Sequence, residues 1–157
     1  MPAPPGDFET GDLWHELDMV LGPIVKAKGW RMALDARHRL PSPPDTVVYP
    51  DIAVHAVSKV DYLPGTRSVG RVPELVIETL SEETHERDVA PRGAKFLAYQ
   101  MSGVREYYYC WPDGRDASGF VLRRGVFAPL KRDRDGFFTS PLLDAALRLV
   151  EPATRPS

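Results

Sequence analysis

Three side chains carry residue types and spacing suited to hydrolytic chemistry: Asp51, Glu78 and Lys95. Glu78 lies within Pro73-Glu74-Leu75-Val76-Ile77-Glu78-Thr79-Leu80-Ser81. Apolar and β-branched residues dominate that stretch, so it reads as a strand. Strand side chains alternate in direction, which puts Val76, Glu78 and Leu80 on one face and Leu75, Ile77 and Thr79 on the other. Both faces are apolar, so the strand belongs inside a sheet. A carboxylate there is costly unless it is paired, hydrogen-bonded or bound to a metal.

Asp51 follows Pro50 at the head of a second extended run, Ile52-Ala53-Val54. Consecutive strands often pair, and pairing would bring the carboxylates of Asp51 and Glu78 to one point. Two adjacent carboxylates resist joint ionisation, and a divalent cation removes that cost. Mg²⁺ accepts one or two carboxylates plus waters and phosphate oxygens. Such an ion acidifies water and neutralises charge on a phosphodiester. Lys95 falls on the helix expected after the Glu78 strand, with Tyr99 one turn on along the same face. A cation there could orient an attacking water or stabilise a phosphoryl transition state. Glu74 and Asp88 flank these groups as candidate supporting residues.

The elements that must position this set can be read along the chain. Residues 1–9 read as a disordered, proline-rich lead-in, residues 10–150 as one domain and residues 151–157 as a frayed tail. A helix is expected from Thr10, with Leu13, Leu17, Val20, Leu21 and Ile24 at helical spacing and Gly29 as its stop. Trp30 to Arg37 reads as a strand, Pro41 to Asp45 as a stiff loop and Val47 to Val57 as extended chain interrupted by Pro50. Ser58 to Val72 reads as a loop. Ser81 to Asp88 is a polar connector. Pro91 fits the first turn of a helix ending at Gly103. Val104 to Trp111 is a tyrosine-rich strand, and Pro112-Asp113-Gly114 a turn. Arg124-Gly125 joins a hairpin, and Leu142, Leu143, Ala146 and Leu149 make a short amphipathic segment. The order is helix, three strands, helix, strand and hairpin. A helix must link the third and fourth strands if they are parallel.

This ordered string resembles the Uma-type family of bacterial restriction-endonuclease-like proteins in the PD-(D/E)XK nuclease superfamily. The residues that carry it are Pro50-Asp51-Ile52-Ala53-Val54, the Glu78 strand, Arg87-Asp88, Lys95 with Tyr99, and Gly103-Val104-Arg105-Glu106-Tyr107-Tyr108. The likeness spans roughly residues 45–145. It implies an α/β restriction-endonuclease-like core, α-β-β-β-α-β, with a central mixed sheet and an added C-terminal β-hairpin. It implies Asp51 and Glu78 as ligands of Mg²⁺ or Mn²⁺, and DNA as substrate. The superfamily's lysine two residues after the glutamate is Leu80 in this chain, and the resemblance implies Lys95 in its stead. Glu16 is a candidate extra acid from the N-terminal helix.

Plainer readings stand beside these. Glu78 could be one half of a buried ion pair, Asp51 a turn former, and Lys95 a snorkelling surface side chain. His55 shares the parity of Asp51, but no histidine forms a zinc pattern. Ser81 lacks a glycine-flanked nucleophile elbow. Arg123, Arg124, Lys131, Arg132 and Arg134 could touch a phosphate backbone, although Asp133 and Asp135 are interleaved with them. The net charge of −2 is low for a protein that binds nucleic acid through a broad basic surface. The single cysteine, Cys110, excludes an internal disulfide and fits a reducing compartment. No apolar run is long enough to span a membrane. The chain is therefore expected in the cytoplasm, as a DNA endonuclease or as an inactive endonuclease-like fold that binds protein or nucleic acid. A homodimer would suit the cutting of both strands of a duplex.

Overall fold

The strand holding Glu78, β5 (Leu75–Thr79), lies near the middle of the sheet, and its first four residues are buried. The structure is a computed structural model that describes residues 20–89, 91–112 and 116–149. The expected lead-in, the helix start at Thr10, Glu16, the turn at Asp113-Gly114 and the tail at 151–157 lie outside the described residues. Residues 20–27 form helix α1.

β5 is flanked by β4 (Ile52–His55), antiparallel with Ile52 opposite Ile77. On its other side runs β6 (Glu106–Cys110), parallel, with Glu78 opposite Tyr109. A parallel neighbour requires a crossover. It is supplied by α2 (His85–Asp88) and α3 (Ala94–Ser102). The six-stranded sheet is completed by β1 (Arg31–Leu34) beside β4, and by β7 (Ala117–Arg123) and β8 (Val126–Leu130) beyond β6. The expected mixed α/β core with its added hairpin is thus present. The β7–β8 turn is Arg124-Gly125, with φ of 52° and 81°. Two central residues of positive φ match the twist of the flanking strands.

Strand alternation divides the apolar residues between two layers. Ile52, Val54, Leu75, Ile77, Tyr108 and Phe138 pack with Leu21 and Val25 of α1. Val76, Leu80, Tyr107, Tyr109, Phe120 and Phe127 pack with Phe96, Ala98 and Tyr99 of α3. Leu75, Val76 and Ile77 are fully buried, each burial contributing about 1.5–3 kcal/mol. Glu78 has the parity of Val76 and so faces α3. Helix α3 ends at Gly103, whose φ of 89° lets its N–H return to the carbonyls of Tyr99 and Gln100.

Four expectations change in detail. The strand expected over Trp30 to Arg37 stops at Leu34, because Asp35 adopts a φ of 50° and turns the chain. Beyond it β2 (His38–Leu40) pairs with β3 (Thr46–Val48) as a separate hairpin around the proline loop. Helix α3 begins at Ala94, not at Pro91. Gly93 precedes it where a Cβ would come within 2.5 Å of the Arg87 carbonyl oxygen, so the chain there is pressed against α2. The C-terminal apolar segment forms β9 (Phe138–Ser140) and β10 (Ala145–Leu147), because Asp144, at a φ of 52°, reverses the chain.

Glu106, only 1% exposed, ties that last hairpin to the sheet. Its Oε1 accepts the hydroxyls of Tyr108 and Ser140, both at 2.7 Å, and its Oε2 accepts the Leu142 N–H at 2.6 Å. Glu106→Ala strands three donors in a site made for a carboxylate. The expected loss is about 3 kcal/mol or more by urea unfolding. Tyr108→Phe, which removes one donor, should lose only about 1 kcal/mol. Equal losses would show that the carboxylate does not anchor the hairpin.

Candidate active site

Extending the β4–β5 register by one residue sets Asp51 opposite Glu78. Each acid then grips the other's strand. The Asp51 N–H donates to Glu78 Oε1 at 3.2 Å. Asp51 Oδ2 accepts the Thr79 N–H at 2.6 Å and the Thr79 hydroxyl at 2.7 Å. Asp51 Oδ1 accepts no hydrogen bond among the described residues. Pro50 places Asp51 just outside the ladder, where its carboxylate can reach the end of the neighbouring strand.

Helix α3 covers the pair from above. Lys95 and Tyr99, one turn apart, converge on a single atom. Lys95 Nζ lies 2.6 Å from Glu78 Oε2, and the Tyr99 hydroxyl donates to the same oxygen at 2.8 Å. The last turn of α2 adds Asp88, 1% exposed, whose Oδ1 is 3.5 Å from Lys95 Nζ and 3.5 Å from Arg87 Nε. These are charge contacts; Asp88 Oδ1 is buried and accepts no hydrogen bond from the described residues. Its backbone carbonyl accepts the Tyr107 hydroxyl at 2.8 Å.

The site is therefore rich in negative charge. Burial first, and the Glu78 charge second, push Asp51 up to about 6, although the Thr79 hydrogen bonds and Lys95 pull the other way. Burial also raises Glu78, against the charge and hydrogen bond of Lys95 and the hydrogen bond of Tyr99. Asp88 is raised by burial too, with Lys95 and Arg87 opposing. Three carboxyl groups stand around one partly exposed ammonium, a balance that a hard dication would correct.

Among the described residues no three His, Cys, Asp or Glu side chains are arranged to hold a metal by themselves. An Mg²⁺ site needs no such cage, since water and phosphate oxygens complete its shell. Asp51 Oδ1, which accepts no hydrogen bond from the described residues, and Glu78 Oε1, which accepts only the long Asp51 N–H contact among them, fit that requirement.

Sequence reasoning thus named four of the groups that meet here, Asp51, Glu78, Lys95 and Asp88, and put Tyr99 on the face that meets them. It missed Thr79. Strand parity turns the Thr79 side chain away from Glu78, and only pairing across the strand ends reveals its hold on Asp51. Other candidates lie elsewhere. Glu74 is at the opposite end of β5, bound to Arg71 at 2.5 Å and to the Ala56 N–H at 2.8 Å. His55 closes β4 at that same end. Its Nε2 meets His38 Nε2 at 2.9 Å, and Arg71 lies 3.2 Å from its Nδ1. With the His38 Nδ1 hydrogen given to the Ala36 carbonyl at 2.8 Å, both rings are satisfied as neutral imidazoles. Burial pushes the Cys110 thiol up to about 12, which leaves it an inert core group. Arg123, Arg124, Lys131, Arg132 and Arg134 are exposed on and beyond the β7–β8 hairpin.

A mixed six-stranded sheet whose parallel pair is linked by a crossover helix is the endonuclease-like class of fold that the resemblance implied. The comparisons agree. A model of the Uma2 family, described as "putative restriction endonuclease", matches residues 1–147, and the chain belongs to that family. The fold is also similar to the crystal structure of a "putative nuclease belonging to DUF820" from Anabaena variabilis ATCC 29413. The TM-score is 0.70 at 19% identity, covering 94% of this chain and 80% of that one. No curated protein matches the chain. No helix among the described residues is long and apolar enough to cross a membrane.

Proposed function

We propose that the protein is a divalent-metal-dependent endonuclease that hydrolyses phosphodiester bonds of DNA, with Asp51 and Glu78 as the ligands of Mg²⁺ or Mn²⁺. The observation that carries this reading is the carboxylate pair, Glu78 buried and Asp51 partly so, clasped across the ends of neighbouring strands, with more negative charge than Lys95 neutralises. A bound cation would supply Lewis-acid activation of water and would neutralise charge on the phosphodiester. The chain's own groups do the rest. Thr79 fixes the Asp51 carboxylate through its Oδ2. Tyr99 holds Glu78 in one rotamer. Lys95 carries an ammonium group whose N–H donors can meet a phosphoryl oxygen as charge builds on it. Asp88 offers Lys95 a second carboxylate when the ammonium leaves Glu78.

The close Lys95–Glu78 contact favours a second reading, an endonuclease-like module that binds without cutting, since an ion pair can satisfy Glu78 unaided. Incubation of the protein with supercoiled and single-stranded DNA plus Mg²⁺ or Mn²⁺ separates the two. Nicking or degradation that is lost in Glu78→Gln supports catalysis. Wild-type protein that binds DNA but leaves it intact under every metal supports the module.

A further inference from the structure

A cleft of about 230 Å³ opens between β3 and the helices α2 and α3, lined by residues that include Val48, Tyr49, Arg87, Ala94, Lys95 and Ala98. It is smaller than a site for a drug-sized ligand, which runs from about 300 Å³. Its wall on the β3 side includes Tyr49, 51% exposed although aromatic, two residues before Asp51. Opposite is Arg87, whose one ion pair among the described residues is the 3.5 Å contact from Nε to Asp88. Lys95 lines the same cleft, and its Nζ reaches Glu78. Val48, Ala94 and Ala98 give it apolar lining.

Each feature bears on what the cleft can hold. Apolar lining with an exposed aromatic ring suits the flat face of a base and not a hydrated phosphate. Arg87 and Lys95 add cations of the kind that meet the phosphates on either side of such a base. A base stacked inside a duplex cannot enter a cleft this small; it must first leave the stack. Single strands pay no such cost, and base–aromatic stacking is tolerant of sequence.

We propose that this cleft seats an unstacked nucleotide base beside the phosphate at the Asp51–Glu78 pair, with Tyr49 stacking on the base and Arg87 binding a flanking phosphate, so that single-stranded DNA is the preferred substrate. The proposal rests on the nuclease reading for its placement, but binding tests it independently of cutting. Fluorescence anisotropy would follow a labelled single-stranded oligonucleotide and the matching duplex, with Ca²⁺ in place of Mg²⁺, for the wild type, Tyr49→Ala, Tyr49→Phe and Arg87→Ala.

The single strand should bind the wild type more tightly than the duplex. Tyr49→Ala should weaken single-strand binding roughly tenfold, the scale of one lost base–aromatic stack. Tyr49→Phe should keep it, and Arg87→Ala should flatten its dependence on salt. Unchanged single-strand affinity in Tyr49→Ala, or tighter binding of the duplex, overturns the proposal. Stacking behaviour as described, in a protein that cuts nothing, would retain the seat and remove the nuclease reading. Duplex cleavage indifferent to Tyr49 would do the reverse.

Discussion

Asp51→Asn should abolish metal-dependent cleavage and at the same time raise the melting temperature of the metal-free protein near pH 8 by about 5 °C or more. Both effects come from one side chain. Asparagine keeps an oxygen for the Thr79 N–H and hydroxyl, so the strand ends remain tied. It loses the charge that faces Glu78. Asp51 titrates at about 6 in the fold, against 3.8 ordinarily. A carboxyl raised in this way does not weaken the fold while it is protonated in both folded and unfolded chains, below about pH 4. Its cost grows as pH rises through the folded value and is complete above about pH 7. A shift of this size corresponds to about 2–3 kcal/mol, and each kcal/mol moves the melting point of a domain this large by roughly 2–4 °C. The gain in Asp51→Asn should therefore shrink toward zero as pH falls to about 4. Differential scanning calorimetry from pH 4 to 8 checks the sign. A variant that is less stable than wild type at pH 8 would mean that Asp51 is a structural strand cap and not a strained ligand.

Lys95→Met should show the opposite balance. The substitution preserves length and apolar stem but leaves Glu78, 2% exposed, with Tyr99 as its remaining side-chain partner. Breaking a buried pair from one side costs about 3–5 kcal/mol. Protonation of Glu78 would limit the loss, so the variant should regain stability as pH falls. Adding Glu78→Gln removes the orphaned charge, and the double variant should recover most of the stability while remaining inactive. The cycle formed by the two single variants and the double should give a coupling of about 1–3 kcal/mol. A coupling near zero, measured by urea unfolding, would show that the 2.6 Å contact between Lys95 and Glu78 does not bind them energetically.

The strand that carries Glu78 was legible because its composition is local information: apolar residues on both faces with one acid among them. Asp51 was legible through Pro50, which marks the edge of its strand, and through the ordered motifs that link both acids to a family. Lys95 and Tyr99 were legible as a helical i, i+4 pair. What the sequence withheld depends on contacts distant along the chain. The hold of Thr79 on Asp51 needs the pairing of β4 with β5. His55 is remote from the site because it ends β4, four residues on from Asp51 along the strand, and its contact with His38 of β2 needs the fold to be seen. The hairpin that closes the chain was concealed by the helix-like spacing of Leu142, Leu143, Ala146 and Leu149, which Asp144 interrupts with positive φ. The cleft beside Tyr49 was hidden for the same reason, since its walls come from segments that meet only in the fold.

If Asp51 and Glu78 share one hard cation, anomalous scattering from crystals soaked in Mn²⁺ will locate it. The expected map holds a single peak within about 2.3 Å of an oxygen of each carboxylate, with the Lys95 ammonium displaced from Glu78 toward Asp88. A map with no peak there, or with the ion held elsewhere while Lys95 remains on Glu78, would contradict the shared site.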